Sequence, residues 1–316
     1  LISQSGYLLP KPLRRRMKIT TQNDIDVVLD ASGFYFGDQW GPHTTEKSAA
    51  LFTKWKKKGK KIILLPQAFG PFSSDRLREA FNKLVENSDL IFARDKVSFQ
   101  YSIDVVGKAN QKVQLAPDFT NLLSAIAPSS AKEFCDRPCI IPNAKMMAKA
   151  SPNAQKNYIP LLAKMIDFMM EKGLSPFILI HEIYDIQIAQ EILKEVKTQI
   201  PIVQDKNPLH IKGIIGKSQF VVSSRFHGLV SSLSQEVPCL GTGWSHKYKE
   251  LFTDYSCPDF LLSVEDDKQL AMDKLSTLIC PSSRSKISGK IAKASQNQKM
   301  LSQGMWNKVK FEAKKL

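Results

Sequence analysis

Short apolar runs alternate along this chain with segments of helical period, and that alternation restricts the fold more than any other feature. The runs are residues 26–30, 61–66, 90–93, 113–115, 139–141, 177–180, 200–203, 220–222 and 237–240. Runs this short and apolar suit strands buried on both faces, and strands separated by helices are joined by right-handed crossovers into parallel sheets. Two stretches share one construction, with residues 44–58 ending at Gly59 before strand 61–66, and residues 158–172 ending at Gly173 before strand 177–180. In each, lysines face the negative helix end and glycine supplies a left-handed cap. The expected class is α/β, with two Rossmann-like domains facing across a cleft.

At 316 residues, 43% apolar and 24% charged, the chain can bury two modest cores. The periodicity breaks between residues 117 and 142, in Ala127-Pro128-Ser129-Ser130-Ala131 and Asp136-Arg137-Pro138, which marks a linker. The expected domains are 1–127, 138–280 and a basic C-terminal helix over 281–316. No apolar stretch approaches the ~20 residues that span a bilayer. The opening has no Met and no apolar signal core, so it reads as neither an export signal nor an intact start. Cys135, Cys139, Cys239, Cys257 and Cys280 lack metal-ligand spacing, so reduced thiols, a cytoplasmic setting and no metal are expected.

The net charge of +15 attracts anions. Residues 284–316 hold nine basic residues and one acid, with Ile287, Ile291, Ala294, Leu301, Met305 and Val309 near helical spacing. This basic amphipathic helix has two open readings: peripheral contact with an anionic membrane, or packing back across both domains. Nucleic acid is not expected, because the clustered charge has no interleaved aromatics.

The segment from Gly216 to Lys247 reads as strand, loop with Arg225 and His227, helix, strand, and a loop running through Trp244 to Lys247. Both loops should open at the carboxyl edge of one parallel sheet, where helix N-termini favour phosphate or carboxylate. His181 and Glu182 end strand 177–180 at the same edge, and Asn143 follows strand 139–141. In the first domain, Gly70 lets the loop 67–71 present backbone N–H groups, Arg94 follows strand 90–93, Asp95 should cap the next helix, and Asp118 closes strand 113–115 beside the linker.

These residues together resemble the polysaccharide pyruvyl transferase family. The carriers of the resemblance are Arg225-x-His227 with Lys247, Gln67-Ala68-Phe69-Gly70-Pro71, Arg94-Asp95-Lys96-Val97-Ser98, Ala116-Pro117-Asp118, and His181-Glu182 with Asp185. One family feature, an Asn-x-Gly-Asp loop, is missing, and Gly37-Asp38 does not replace it. The resemblance implies a glycosyltransferase-B-like arrangement whose first domain lacks its first βαβ unit. It also implies transfer of pyruvate from phosphoenolpyruvate to two hydroxyls of a glycan or lipid-linked sugar, giving a cyclic ketal and phosphate, with no cofactor beyond that co-substrate. On that reading Arg225, His227, Lys247, Asn143 and Glu182 bind the donor, and Gln67, Gly70 and Arg94 the acceptor. His227, Asp118 and His181 carry the proton transfers. A sugar-nucleotide glycosyltransferase is the competing enzyme, because Arg and Lys would also serve a diphosphate; a polyanion- or membrane-binding module is the competing class.

Overall fold

The computed structural model describes residues 9–243, 245–265 and 268–315, so Trp244 and the first eight residues of the expected N-terminal domain lie outside the described residues. The chain divides into two compact units, Leu1–Asp118 with Gln303–Leu316, and Phe119–Ser302. Residues 119–127 therefore group with the second unit rather than the first.

The first unit is built on the parallel strands β1 (Val27–Asp30), β2 (Phe34–Phe36), β3 (Lys61–Phe69), β4 (Leu90–Ala93) and β5 (Val113–Leu115). They run in the order β1-β3-β4-β5, with β2 paired to β3 beyond β1. β3 is longer than the expected 61–66, which makes Gln67 a strand residue. Pro66 interrupts nothing: it lies between Leu64 and Gln67, where the β3–β4 register shifts and no ladder N–H is required. The helix before β3 is Gly41–Lys56, starting earlier than expected because Pro42 fits its first turn. Phe36, Phe52, Ile62, Leu64, Phe69, Phe81 and Ile91 form the core.

The second unit holds β6 (Cys139–Ile141), β7 (Phe177–Ile180), β8 (Ile202–Gln204), β9 (Val221–Ser223), β10 (Cys239–Thr242) and the two-residue β11 (Leu261–Leu262). All pairs are parallel, in the order β11-β10-β9-β6-β7-β8. That is the doubly wound order in which the chain reverses direction between its first and fourth strands, here β6 and β9. The two faces of the sheet are separately apolar. Ile178 and Ile180 join Tyr158, Ile166 and Val222 on one side, while Phe177 and Leu179 join Ile141, Val221 and Leu229 on the other. The helix expected over 158–172 begins at Pro152, capped by Ser151 Oγ accepting from the Ala154 N–H at 3.1 Å, and ends at Glu171. Gly59 and Gly173 take φ of +73° and +76°, the left-handed caps read from the sequence.

The terminal helix is Pro281–Ala313. Its apolar stripe is spent on the protein: Ile291 belongs to the second unit's core with Ile287 and Ala294 against it, and Met305 and Val309 are buried. A helix lying on a membrane by this stripe is thereby corrected to a packed helix; of the stripe only Leu301 is largely exposed. Among the described residues no helix is long and apolar enough to cross a membrane. All five cysteines are free.

Candidate functional site

The reversal between β6 and β9 opens a crevice at the carboxyl ends of these strands. β9 is continued by Ser224, whose N–H bonds the Ile141 carbonyl at 3.1 Å, so the chain leaves the sheet directly beside the end of β6. Asn143 spans the gap, its Nδ2 donating to the Ser224 carbonyl at 2.8 Å and its Oδ1 accepting from the Lys145 N–H at 2.9 Å. The Tyr158 hydroxyl accepts from the Asn143 N–H at 2.9 Å and donates to Ser224 Oγ at 2.7 Å, and Ser224 Oγ lies 2.7 Å from Thr242 Oγ1. Tyr248 adds a bond from its hydroxyl to the Ser224 carbonyl at 3.0 Å. Asn143, Tyr158, Ser224, Thr242 and Tyr248 are all buried. Satisfied polar networks of this kind fix a single backbone arrangement, here that of the turn carrying Arg225 and His227. Asn143, expected on the donor, is instead committed to the turn. Ser224, Tyr158, Thr242 and Tyr248 were missed by sequence reasoning; the Ser223-Ser224 pair at the end of an apolar strand was the available signal.

Arg225 is 5% exposed, and its fork does not point at solvent. Nε donates to Asp185 Oδ2 at 2.7 Å, Nη2 to Asp185 Oδ1, and Nη1 pairs with Glu182 Oε1 at 2.8 Å. Arg225 and Glu182, both expected on the donor, pair with each other. Asp185, assigned no role from sequence, is the hub: fully buried, it also accepts from the Ala144 N–H at 2.9 Å and the Glu182 N–H at 3.2 Å. Strand β7's end and the Arg225 turn are tied together by this one carboxylate.

His181 follows β7 and is half-buried. Its Nδ1 is buried and has no hydrogen-bond partner among the described residues. Burial first, then the charges of His227 and Arg225, lower its pKa from 6.5 to about 4. The ring is therefore a neutral acceptor at physiological pH, not a cation.

Two helices start side by side at this edge, Phe226–Leu233 after β9 and His246–Asp254 after β10. Neither has an acidic residue in its first turn or a side-chain hydrogen bond capping it. Their first turns instead carry His227, exposed, and His246 and Lys247, half-buried. Phe226 joins the two starts: Lys247 Nζ is 5.3 Å from its ring centroid and the His227 ring 5.6 Å. A lysine ammonium at the positive end of a helix is unfavourable on its own account. It becomes favourable when an anion binds there, because backbone N–H groups and side chains then act together. His246 was missed, although the sequence His246-Lys247 repeats the logic of Phe226-His227.

The first unit's candidates lie along the carboxyl end of its own sheet. Gln67 is fully buried; its Nε2 donates to Asp30 Oδ1 at 3.3 Å, and its Oε1 has no partner among the described residues. Arg94 and Asp118, 5% and 6% exposed, form a buried ion pair, Nη1 to Oδ2 at 3.0 Å. Asp118 is thus a countercharge here rather than an open base. Asp95 caps its helix, accepting from the Ser98 N–H at 2.7 Å. Gly70 has φ +72°, but its N–H bonds the Phe36 carbonyl at 3.0 Å and the Ala68 N–H bonds the Gly33 carbonyl at 2.9 Å. The expected display of loop N–H groups is corrected: pairing with β2, unseen in the sequence, consumes them. Gly37-Asp38 lies against this turn, with Asp38 Oδ1 accepting from the Ser73 N–H at 2.9 Å.

A family model described as polysaccharide pyruvyl transferase matches residues 4–246. No curated protein matches the chain. Among solved structures, a putative UDP-N-acetylglucosamine 2-epimerase from Listeria monocytogenes is similar at TM-score 0.60 and 10% identity, over 96% of this chain and 77% of that one. The S. aureus MnaA–UDP co-structure gives TM-score 0.59 and 14% identity over the same shares. A UDP-forming trehalose-phosphate synthase from Burkholderia xenovorans gives 0.53 and 10%, over 88% and 80%. At these identities the likeness shows the fold alone, which is glycosyltransferase-B-like with two Rossmann-like domains.

Proposed function

Because the chain belongs to the polysaccharide pyruvyl transferase family, we propose that it moves pyruvate from phosphoenolpyruvate onto two hydroxyls of a glycan sugar, forming a cyclic ketal and releasing phosphate. The observation that carries this reading is the pair of helix starts bearing His227, His246 and Lys247, neither with an acidic residue in its first turn. The donor has a carboxylate and a phosphate, and two adjacent helix N-termini, each with the partial positive charge of its free N–H groups, match two anionic groups on one small molecule. Arg225 serves by position: locked by Asp185 and Glu182, it fixes the turn that aims His227.

The proton balance is simple. Two hydroxyl protons are lost, one ends on the vinyl carbon that becomes a methyl group, and one leaves with phosphate. His227 delivers the first, and neutral His181 accepts from a hydroxyl. The protein's own cations neutralise the donor, so turnover should persist in chelator; loss restored only by a divalent ion would refute that part. A lipid-linked acceptor would be met by peripheral contact with an anionic membrane.

The test is thermal. A ligand that binds only the folded state at ~100 times its Kd adds about 2.7 kcal/mol, so phosphoenolpyruvate should raise Tm, and incubation with a galactose- or mannose-type glycan should then release phosphate and add a pyruvyl ketal seen by mass. A sugar-nucleotide glycosyltransferase is the second reading, since the same helix starts would take a diphosphate and one similar structure is a UDP complex. Stabilisation by a UDP-sugar and not by phosphoenolpyruvate, with sugar appearing on the acceptor, would establish it instead.

A further inference from the structure

The carboxyl edge of the first unit's sheet carries the polar groups described above; its opposite edge carries a different chemistry. Three segments gather there. The turn after helix Gly41–Lys56 leads into β3 and exposes Lys57 and Lys58, with Lys58 Nζ 3.3 Å from Asn23 Oδ1 just before β1. The helix Lys11–Arg16 is tied to the same place by Arg14 Nη2, which donates to Asp24 at 2.8 Å, leaving Arg15, Arg16 and Lys18 exposed. The last turns of the terminal helix complete the edge, because Glu312 accepts from Lys61 Nζ at 3.0 Å where β3 begins.

Acids are present, but apart from Asp26, exposed just before β1, they are engaged and are outnumbered by the exposed cations Arg15, Arg16, Lys18, Lys57 and Lys58. Asp24 is held by Arg14, Asp89 by Lys56 and Lys61, and Glu312 by Lys61 and Lys315. The cations of this edge therefore exceed what its own carboxylates neutralise. Set among them are three large apolar side chains in the open: Leu13 at 43% exposure, Met17 at 55% and Phe311 at 66%.

We infer that this edge is a docking face for an anionic lipid surface. Exposed cations are attracted to the headgroups, each worth a severalfold gain in partition. Leu13, Met17 and Phe311 then reach the boundary between headgroups and acyl chains, where their apolar area leaves water. A nucleic acid would satisfy the charge and leave Leu13 and Met17 wet, with no row of aromatics on which bases could stack. The carboxyl edge, with Gln67 and Asp118, lies at the other ends of the same strands and faces away from the lipid. This assignment rests on the proposed peripheral membrane contact, and names the surface that makes it.

The experiment is co-sedimentation of the full chain with phosphatidylcholine vesicles, with and without phosphatidylglycerol, at low and high salt. Binding should require phosphatidylglycerol and fall as salt screens it. Reversing Arg15, Arg16, Lys57 and Lys58 to Glu should lower partition about a hundredfold, and Met17→Ser with Phe311→Ser about tenfold. The control reverses Lys286, Lys290, Lys293 and Lys299, exposed or half-exposed cations on the part of the terminal helix that belongs to the second unit, for the same change in net charge. It should bind as the unaltered chain does. No binding to anionic vesicles would overturn both the peripheral contact and this face. Equal loss in face and control variants would overturn the face alone, and so would indifference to Met17→Ser with Phe311→Ser alongside tight binding of a single-stranded oligonucleotide.

Discussion

Asp185→Asn is nearly isosteric, yet it should be among the most damaging changes in the second unit. The carboxylate accepts from Arg225 Nε, Arg225 Nη2 and the N–H groups of Ala144 and Glu182, all from a fully buried position. Oδ1 serves Arg225 and Ala144; Oδ2 serves Arg225 and Glu182. Whichever way an Asn amide is turned, its NH2 faces two donors, one of them the guanidinium. Arg225 also loses the one buried countercharge it has among the described residues, since Glu182 is half-exposed at 49%. Breaking a buried pair by removing one partner costs about 3–5 kcal/mol, which is two to four decades in the unfolding equilibrium. The assay is denaturant unfolding by circular dichroism, with hydrogen exchange over Phe226–Leu233 to localise the loss. A cycle through Asp185→Ala, Arg225→Met and the double variant measures the coupling. The double variant should be more stable than the sum of the single losses implies, because no bare charge remains. An Asp185→Asn protein within about 0.5 kcal/mol of the parent, or a strictly additive cycle, would refute the reasoning.

Three further outcomes are expected. His181 has a folded pKa of about 4 against 6.5 unfolded, so the unfolded chain binds the extra proton between those values and stability should fall as pH drops through that window. The span corresponds to roughly 3 kcal/mol at most, and His181→Asn should flatten the stability profile there without changing it above pH 7; an unchanged slope would sink the assignment. Gly70→Ala would place a Cβ 2.7 Å from the Tyr101 ring at φ +72°, so it should cost about 1–3 kcal/mol, with Tyr101→Ala restoring only the steric part; a neutral Gly70→Ala in a melting experiment contradicts this. Tyr158→Phe removes the donor to Ser224 Oγ and the acceptor for the Asn143 N–H, costing about 1–3 kcal/mol; phosphoenolpyruvate affinity should fall with it, and full affinity would show that the turn does not depend on this network.

The parts of the fold that repeat a simple period were readable in the chain. The strands of the second unit are short and apolar, and burial on both faces leaves that mark whatever the neighbours are. β2 was not readable, because Phe34-Tyr35-Phe36 between two glycines becomes a strand only where β3 runs past the end of β1. A different long-range pairing, Gln67 with Ala93 of β4, turned an expected loop at Gln67 into strand. At the site, the positions of Arg225, His227, His181 and Lys247 followed from strand ends, and the structure brings them to one edge. What could not be read is which charge meets which. Arg225 and Asp185 are 40 residues apart and pair because β7 and β9 flank β6; nothing local in either segment encodes it. Likewise, periodicity identified the apolar stripe of the terminal helix but not whether lipid or protein would cover it.

The terminal helix is counted with both units, its residues up to Ser302 with the second and those from Gln303 with the first. The polypeptide therefore changes unit twice, at Asp118 and again inside one continuous helix. A fragment that stops at Asp118 would lack Glu312, one of the two acids on Lys61, together with the buried Met305 and Val309. Neither half can be excised with a single cut, and neither can be traded between homologous chains by a single crossover: an exchange of the first unit must carry both its beginning and its distant tail. Recombination that joins related chains at the linker alone would leave a product whose last helical turns come from one parent and the unit they are counted with from the other.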